Sequence, residues 1–312
     1  MPYVPVAYLP QAEILRSAER RWGALREANP QLREAVDLQR GLLLRVLDLS
    51  RAIDSGRLPR LSLPGKYLAA KLARRIPALS GEPIPVPGPL LTASLVEFCA
   101  DLAAGGAGEA ATNLAAAIEA GRIDGGSLLA ACLARDQETV RSGANHLGLA
   151  PDLAWLVAEL AVGPVAHSLQ RTIFSGQPGP LAEALAAWDE GYCPACGSWP
   201  ALAEVVDHHR LLRCSFCAAA WERTQYACVY CNEGGEAFAT VAPDVERPDR
   251  RLEVCRGCGA YLKATDSEET SPFPLIAIAD METMDLDVAA MDHQYGRPPL
   301  RDFRVGSKVR LT

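Results

Sequence analysis

The residues best suited to chemistry are eight cysteines between Cys193 and Cys258. They fall into four Cys-x-x-Cys pairs: Cys193/Cys196 in CPACGS, Cys214/Cys217 in CSFCAA, Cys228/Cys231 in CVYCNE and Cys255/Cys258 in CRGCGA. One Cys-x-x-Cys turn points two sulfurs at the same ion, and two such turns complete a tetrahedral S4 site. Four turns therefore predict two metal centres. S4 geometry suits zinc and iron equally, so spacing does not choose the metal.

A centre closed by four thiolates has no position at which to activate a water. The chain also lacks HExxH, Gly-x-Ser-x-Gly, a P-loop and a dinucleotide fingerprint, so no catalytic residue is assigned. A thioredoxin-type dithiol would need one pair in a βαβ setting, and no pair is followed by the His of a covalent haem motif. His208 and His209 sit at a hairpin tip beside sites already complete. His146 and His167, alone in helical patterns, read as packed or surface residues, and Cys99 and Cys132 as small buried hydrophobes.

The spacing between pairs suggests a repeat. Seventeen residues separate Cys196 from Cys214 and 23 separate Cys231 from Cys255, a short and a longer hairpin. Sequential pairing, first with second and third with fourth, closes the shorter loops, and crossed pairing is the alternative. Gly197, Asn232 and Gly259 follow the second Cys of their pairs and suit the left-handed backbone that turns N–H groups toward sulfur. Ala218 breaks that pattern.

These turns must be carried by β-hairpins. The runs 201–206, 210–214, 220–228, 236–241 and 251–255 read as strands, with tips at Asp207–His209 and Pro243–Pro248. This is the layout of a zinc ribbon or rubredoxin-like module, duplicated. Ten residues between Cys217 and Cys228, read as part of the strand 220–228, make the two ribbons packed neighbours.

Everything before the ribbons reads as helix. Two amphipathic helices over 11–54 part at Asn29-Pro30, and a short one covers 66–73. Turns follow at Pro59–Pro64 and Ser175–Pro180, and GEPIPVPGPL (81–90) reads as a strap. A long helix starts at Pro151, and Pro164 should kink or break it. Leu181–Trp188 forms a last short helix before the first cysteine pair. The fold class expected is thus multidomain α + β. An all-α domain (1–190) precedes two tandem rubredoxin-like or zinc-ribbon modules (191–227 and 228–266). An acidic–aliphatic tail (267–312) follows and packs back as a helix.

Composition supports this. Hydrophobic residues make up 49% of the 312 and aromatics only 6%, so the core is mostly Ala and Leu. The formal charge is −7, and two tetrathiolate metal centres would bring it to about −11. Between Gly191 and Asp266 eight Lys/Arg face ten Asp/Glu, which argues against nucleic acid as a partner. The N-terminus lacks signal-peptide features, and the sequence has no run of 18 apolar residues to span a membrane. Thiols kept for metal need a reducing compartment, so the cytoplasm is expected.

With these motifs in place, the chain resembles the formate dehydrogenase accessory protein family, FdhE. The resemblance rests on CPACGSWP (193–200), RLLRCSFCAAAW (210–221), CVYCNEGG (228–235), CRGCGAYLK (255–263) and MDLDVAAM (284–291), within the last 120 or so residues. It implies a cytoplasmic, non-enzymatic maturation factor that binds the catalytic subunit of formate dehydrogenase. It also implies two metal ions, iron before zinc, on Cys193, Cys196, Cys214, Cys217, Cys228, Cys231, Cys255 and Cys258. Self-association is a further option. The competing readings are a zinc-ribbon nucleic-acid-binding protein and an electron carrier with iron S4 centres.

Overall fold

The computed structural model describes residues 3–7, 9–57, 63–84, 86–174 and 179–301. The turns expected at 59–64 and 175–180 fall mostly outside these residues.

The helical body is organised on α8 (Pro151–Phe174), whose Ala- and Val-rich surface is buried along most of its length. Around it lie α2 (Arg33–Ala52), α4 (Gly88–Leu102), α5 (Gly108–Glu119), α6 (Gly125–Leu133) and α7 (Gln137–His146). Small side chains at these contacts let helix axes approach closely. Helix α1 (Gln11–Ala28) packs on α2, while α3 (Gly65–Ala73) packs on α9 (Pro180–Ala186). The strap expected over 81–90 is shorter than that, because α4 already begins at Gly88, with Pro89 in its first turn.

Pro164 does not end α8. The helix runs through it to Phe174. Gly163 and Pro164 are buried, and a Cβ on Gly163 would lie 3.6 Å from the Phe216 carbonyl. Tertiary packing there compensates for the hydrogen bond that proline cannot make.

Residues Gly88–Glu119 are long and apolar enough in composition to cross a membrane. Here they form α4 and α5, which pack on each other across a turn at Gly106 (φ 113°), with Leu91, Leu95 and Phe98 in the core.

One seven-stranded sheet holds both ribbons, in the order β1-β4-β3-β2-β7-β6-β5. Its strands are β1 (Tyr3–Val4), β2 (Pro200–Val206), β3 (His209–Cys214), β4 (Ala220–Glu222), β5 (Phe238–Val241), β6 (Arg250–Cys255) and β7 (Ala260–Asp266). The β2–β3 hairpin turns at Asp207 and His208, both left-handed (φ 48° and 68°), as a two-residue hairpin loop requires.

The two ribbons meet differently from expectation. The strand expected over 220–228 stops at Glu222. The join is instead a parallel pairing of β2 with β7, from Leu202↔Lys263 to Val205↔Asp266. Strand β7, which sequence reasoning did not assign, makes that seam, and β1 at the N-terminus covers the outer side of β4.

Side chains alternate across a strand, so the sheet buries two faces. Ala203, Leu212, Trp221, Leu262 and Ala264 join the core of the helical body. The opposite face receives the chain after the ribbons. Helix α10 (Ile276–Glu282) packs on Leu202, and α11 (Met284–Asp292) packs on Leu252, Val254 and Tyr261. The sheet is therefore a middle layer between the helical body and two C-terminal helices.

That second face carries buried charge. Arg213 on β3 and Glu204 on β2 form an ion pair with no solvent exposure on either side chain. Arg213 also donates to the carbonyls of Ala218 (3.2 Å) and Ser271 (2.7 Å), while Glu204 accepts from the Ser271 N–H. Lys263, equally buried, reaches Asp280 (2.8 Å) and Asp287 (2.6 Å). These bonds tie the C-terminal segment to the β2–β7 seam. Glu204→Gln is expected to lower folding stability by about 3–5 kcal/mol, because it strands the Arg213 charge. Glu204→Gln combined with Arg213→Met should recover part of the loss; urea unfolding midpoints of the two variants check this.

Candidate metal centres

Each cysteine pair sits on a tight turn built the same way. The N–H groups of Cys193, Cys214 and Cys228 donate to the carbonyls of Ser198, Ala219 and Glu233 at 2.8–2.9 Å. The N–H groups of Gly197, Asn232 and Gly259 return to the carbonyls of Cys193, Cys228 and Cys255 at 2.8–2.9 Å. The residue after each pair is left-handed: Gly197 (φ 82°), Ala218 (57°), Asn232 (66°) and Gly259 (68°). Ala218, which departs from the expected residue type, adopts the same backbone at a local cost of about 1–2 kcal/mol. The Arg213 bond to its carbonyl helps to hold it there.

The turns bring the sulfurs together in sequential order. Cys193, Cys196, Cys214 and Cys217 form one quartet and Cys228, Cys231, Cys255 and Cys258 the other, with the sulfurs of each within 4.8 Å of one another. Individual Sγ···Sγ distances are 3.4 Å (Cys196–Cys214), 3.6 Å (Cys193–Cys217 and Cys231–Cys255) and 3.7 Å (Cys196–Cys217 and Cys228–Cys258). A tetrahedron with metal–sulfur bonds of about 2.3 Å has edges of about 3.8 Å, so both quartets have the donor type and size for such an ion. Disulfides need S–S near 2.05 Å, and all eight cysteines are free thiols.

Without a counter-ion the first quartet is electrostatically uneasy. Burial, helped by thiol–thiol hydrogen bonding, pushes Cys193 and Cys217 well above the usual thiol value. Burial pushes Cys196 the same way. Hydrogen bonds from the other three thiols and the nearby Arg135 charge nevertheless draw it well below. Four sulfurs buried this close together form a site that a divalent ion would relieve. The N–H groups of Phe216 and Cys217 already point at Cys214 Sγ (3.4 Å each), and Ser198 Oγ lies 3.3 Å from Cys196 Sγ. In the second quartet the N–H groups of Tyr230 and Cys231 serve Cys228, and those of Gly257 and Cys258 serve Cys255.

The helical body closes over the first quartet with residues that sequence reasoning did not single out for this role. The N–H groups of Ala78 and Leu79 donate to the carbonyls of Pro194 and Ala195, both at 2.8 Å, inside the first turn. His167 on α8 is no ligand. Its Nδ1 meets the Cys217 carbonyl at 3.0 Å and its ring stacks on Phe273 at 4.3 Å. Burial pushes His167 down to about 4, so the ring is neutral near pH 7. Arg135 lies between two aromatic rings, 4.1 Å from Phe216 and 4.8 Å from Trp155, and pairs with Glu159 at 2.5 Å. A lone His or Arg in a helical stretch carries no sequence signal for such contacts. His208 and His209 remain exposed at the hairpin tip.

Cys99 and Cys132 lie apart from both quartets in the helical core, fully buried. Burial raises Cys99 to about 11 and Cys132 further. At pH 8 the thiolate fraction of Cys99 is then roughly one in a thousand. Neither residue should react with iodoacetamide in the folded protein, and peptide mass spectrometry after a timed pulse checks this. Gly191, at the start of the first ribbon, sits where a Cβ would lie 1.8 Å from the Val229 carbonyl on the third turn. Gly191→Ala must push the two ribbons apart. A loss of about 1–3 kcal/mol is expected in thermal or urea unfolding.

No protein-family model matches the chain. Curated relatives match part of it. A protein FdhE homolog from Aquifex aeolicus is 27% identical over 116 residues, 35% of this chain and 40% of that protein. A homolog from Stutzerimonas stutzeri is 31% identical over 121 residues, 35% of this chain and 37% of that protein. The chain thus spans about two fifths of the length of the curated relatives it matches. The crystal structure of the FdhE protein from Pseudomonas aeruginosa shares the fold, with a TM-score of 0.59 at 22% identity, covering 96% of this chain and 97% of that one. The chain is thus similar to these homologues in sequence over about a third of its length, and it shares the fold of the Pseudomonas aeruginosa protein across nearly all of it.

Proposed function

We propose that this protein is a formate dehydrogenase accessory factor. It acts in the cytoplasm, holds two metal ions in four-cysteine sites and grips the catalytic subunit of the enzyme during maturation. The observation that carries this reading is the pair of sulfur quartets set in an FdhE-type frame. Four thiolates saturate a tetrahedral ion, so the ions hold the fold and the protein works by binding rather than by turnover. Cys193, Cys196, Cys214 and Cys217 serve one ion and Cys228, Cys231, Cys255 and Cys258 the other. Iron is the metal that the family resemblance favours, and zinc fits the same donors.

Anaerobically purified protein should contain two equivalents of metal by elemental analysis. Ferric thiolate absorption in the visible identifies iron, and a colourless sample with two zinc ions identifies zinc. The native chain, immobilised, should retain the catalytic subunit of formate dehydrogenase from an extract or as purified protein. A variant with Cys193 and Cys214 both changed to Ser should lose that retention. Equal capture by both chains, or by neither, overturns the reading.

A further inference from the structure

The two quartets share one local design yet differ in cover. In the first, Tyr192–Ser198, Cys214 and Phe216–Ala220 are buried, all four cysteines included, and only Ser215 of its two turns is exposed. In the second, Cys228 and Cys255 are buried, but Cys231, Asn232 and the whole turn Arg256–Gly259 are exposed. Position by position, the repeat puts Cys196 and Cys217 in the core and Cys231 and Cys258 at the surface.

The cause is tertiary. Ala78, Leu79, Arg135, Phe273 and His167 close over the first quartet, from the helical body and the segment before α10. Over the second, Tyr230 packs edge-on against Trp199 at 5.1 Å, and the Glu233 side chain lies near Gly257. Neither contact buries Cys231 or Cys258. Reaching a sulfur of the first quartet requires lifting its turns off α8 and the 78–79 loop. That is a sub-global opening, and such openings are rarer than local ones. Reaching Cys231 or Cys258 requires no opening.

We propose that the Cys228–Cys258 quartet is an exchangeable metal site, loaded and emptied through the exposed Cys231 and Cys258 thiolates. The Cys193–Cys217 quartet is its sealed counterpart and does not exchange in the folded protein. This rests on the reading that both quartets hold metal. The partners it fits are soft donors that can approach two surface sulfurs: small thiols, or a protein presenting a thiolate. Each cysteine freed on unloading takes up a proton from solvent. The buried Cys228 and Cys255 keep the site in register through their turns, where the Cys228 N–H donates to the Glu233 carbonyl and the Cys255 carbonyl accepts from the Gly259 N–H, both at 2.8 Å.

The test is metal release from the full chain loaded with two equivalents of zinc, followed by the colour of excess 4-(2-pyridylazo)resorcinol. Two phases of one equivalent each are expected, the fast one at least roughly a hundredfold faster, as local and sub-global openings differ. Helical circular dichroism should stay unchanged through the fast phase. Iodoacetamide added during that phase should label Cys231 and Cys258 before any cysteine of the first quartet, as read by peptide mass spectrometry. Cys258→Ser should abolish the fast phase and keep one slowly released ion in a folded protein. Release of both ions in one phase, a fast phase of full size in Cys258→Ser, or first labelling at Cys193–Cys217 overturns the inequality and leaves the two-metal reading intact. A chain that takes up no zinc overturns both.

Discussion

Four thiolates around a divalent ion carry a net charge of about −2, and the first quartet asks for that charge to be kept out of water. Such a burial is tolerated only where hydrogen bonds and nearby positive charge replace the solvent. The structure around Cys193–Cys217 supplies both. N–H groups and a hydroxyl face the sulfurs, and Arg135 lies over the ring of Phe216, which stands between Cys214 and Cys217 in the chain. The turns' own carbonyls, which would otherwise be orphaned, are taken by Ala78, Leu79 and His167. The helical body is thus bonded to the cysteine turns themselves, and its large Leu- and Ala-rich core is what holds those partners still.

The second consequence concerns how a duplicated ribbon becomes one sheet. Each unit is a three-stranded meander, β2-β3-β4 and β5-β6-β7, and each leaves edge strands with unpaired backbone groups. Pairing β2 with β7 removes one edge from each unit, and β1 covers β4. The parallel register puts Glu204 and Lys263 on one face of that seam, where apolar residues would be simpler. Buried charges of this kind contribute little net stability compared with well-packed apolar side chains, and they are costly when unpaired. Each of these two has partners on the C-terminal segment: Ser271 for Glu204, and Asp280 and Asp287 for Lys263. Folding that segment onto any other place would strip Lys263 of both carboxylates and leave Glu204 with Arg213 alone, so these contacts specify where it docks.

Much of this was legible in the chain. The four cysteine pairs, their sequential grouping, α1, α2 and the hairpin tips follow from short-range patterns that structure seldom overrides. What was not legible depends on distant partners. Strand β7 carries Lys263 at a fully buried position, and a lysine there reads as surface until Asp280 and Asp287 are in place. The continuity of α8 through Pro164 depends on the ribbon packed beside it. Ala218 looked unsuited to a left-handed turn because the Arg213 bond to its carbonyl cannot be seen in the sequence. Arg135 and His167 acquire their roles only when the turn after α6, α8 and the second cysteine turn meet.

The same distinction explains why two copies of one motif need not behave alike. The turn geometry is local. The N–H of Cys193, Cys214 and Cys228 meets a carbonyl five residues on, and every turn ends left-handed. Accessibility is global, set by which copy lies under the helical body. Duplication fixes the first property in both ribbons, but the head-to-tail seam lets only one of them sit beneath α8. The parallel join of β2 to β7 sets the second ribbon to one side, with its fourth turn at the surface. A symmetric packing of the two ribbons would have sealed both sites or neither.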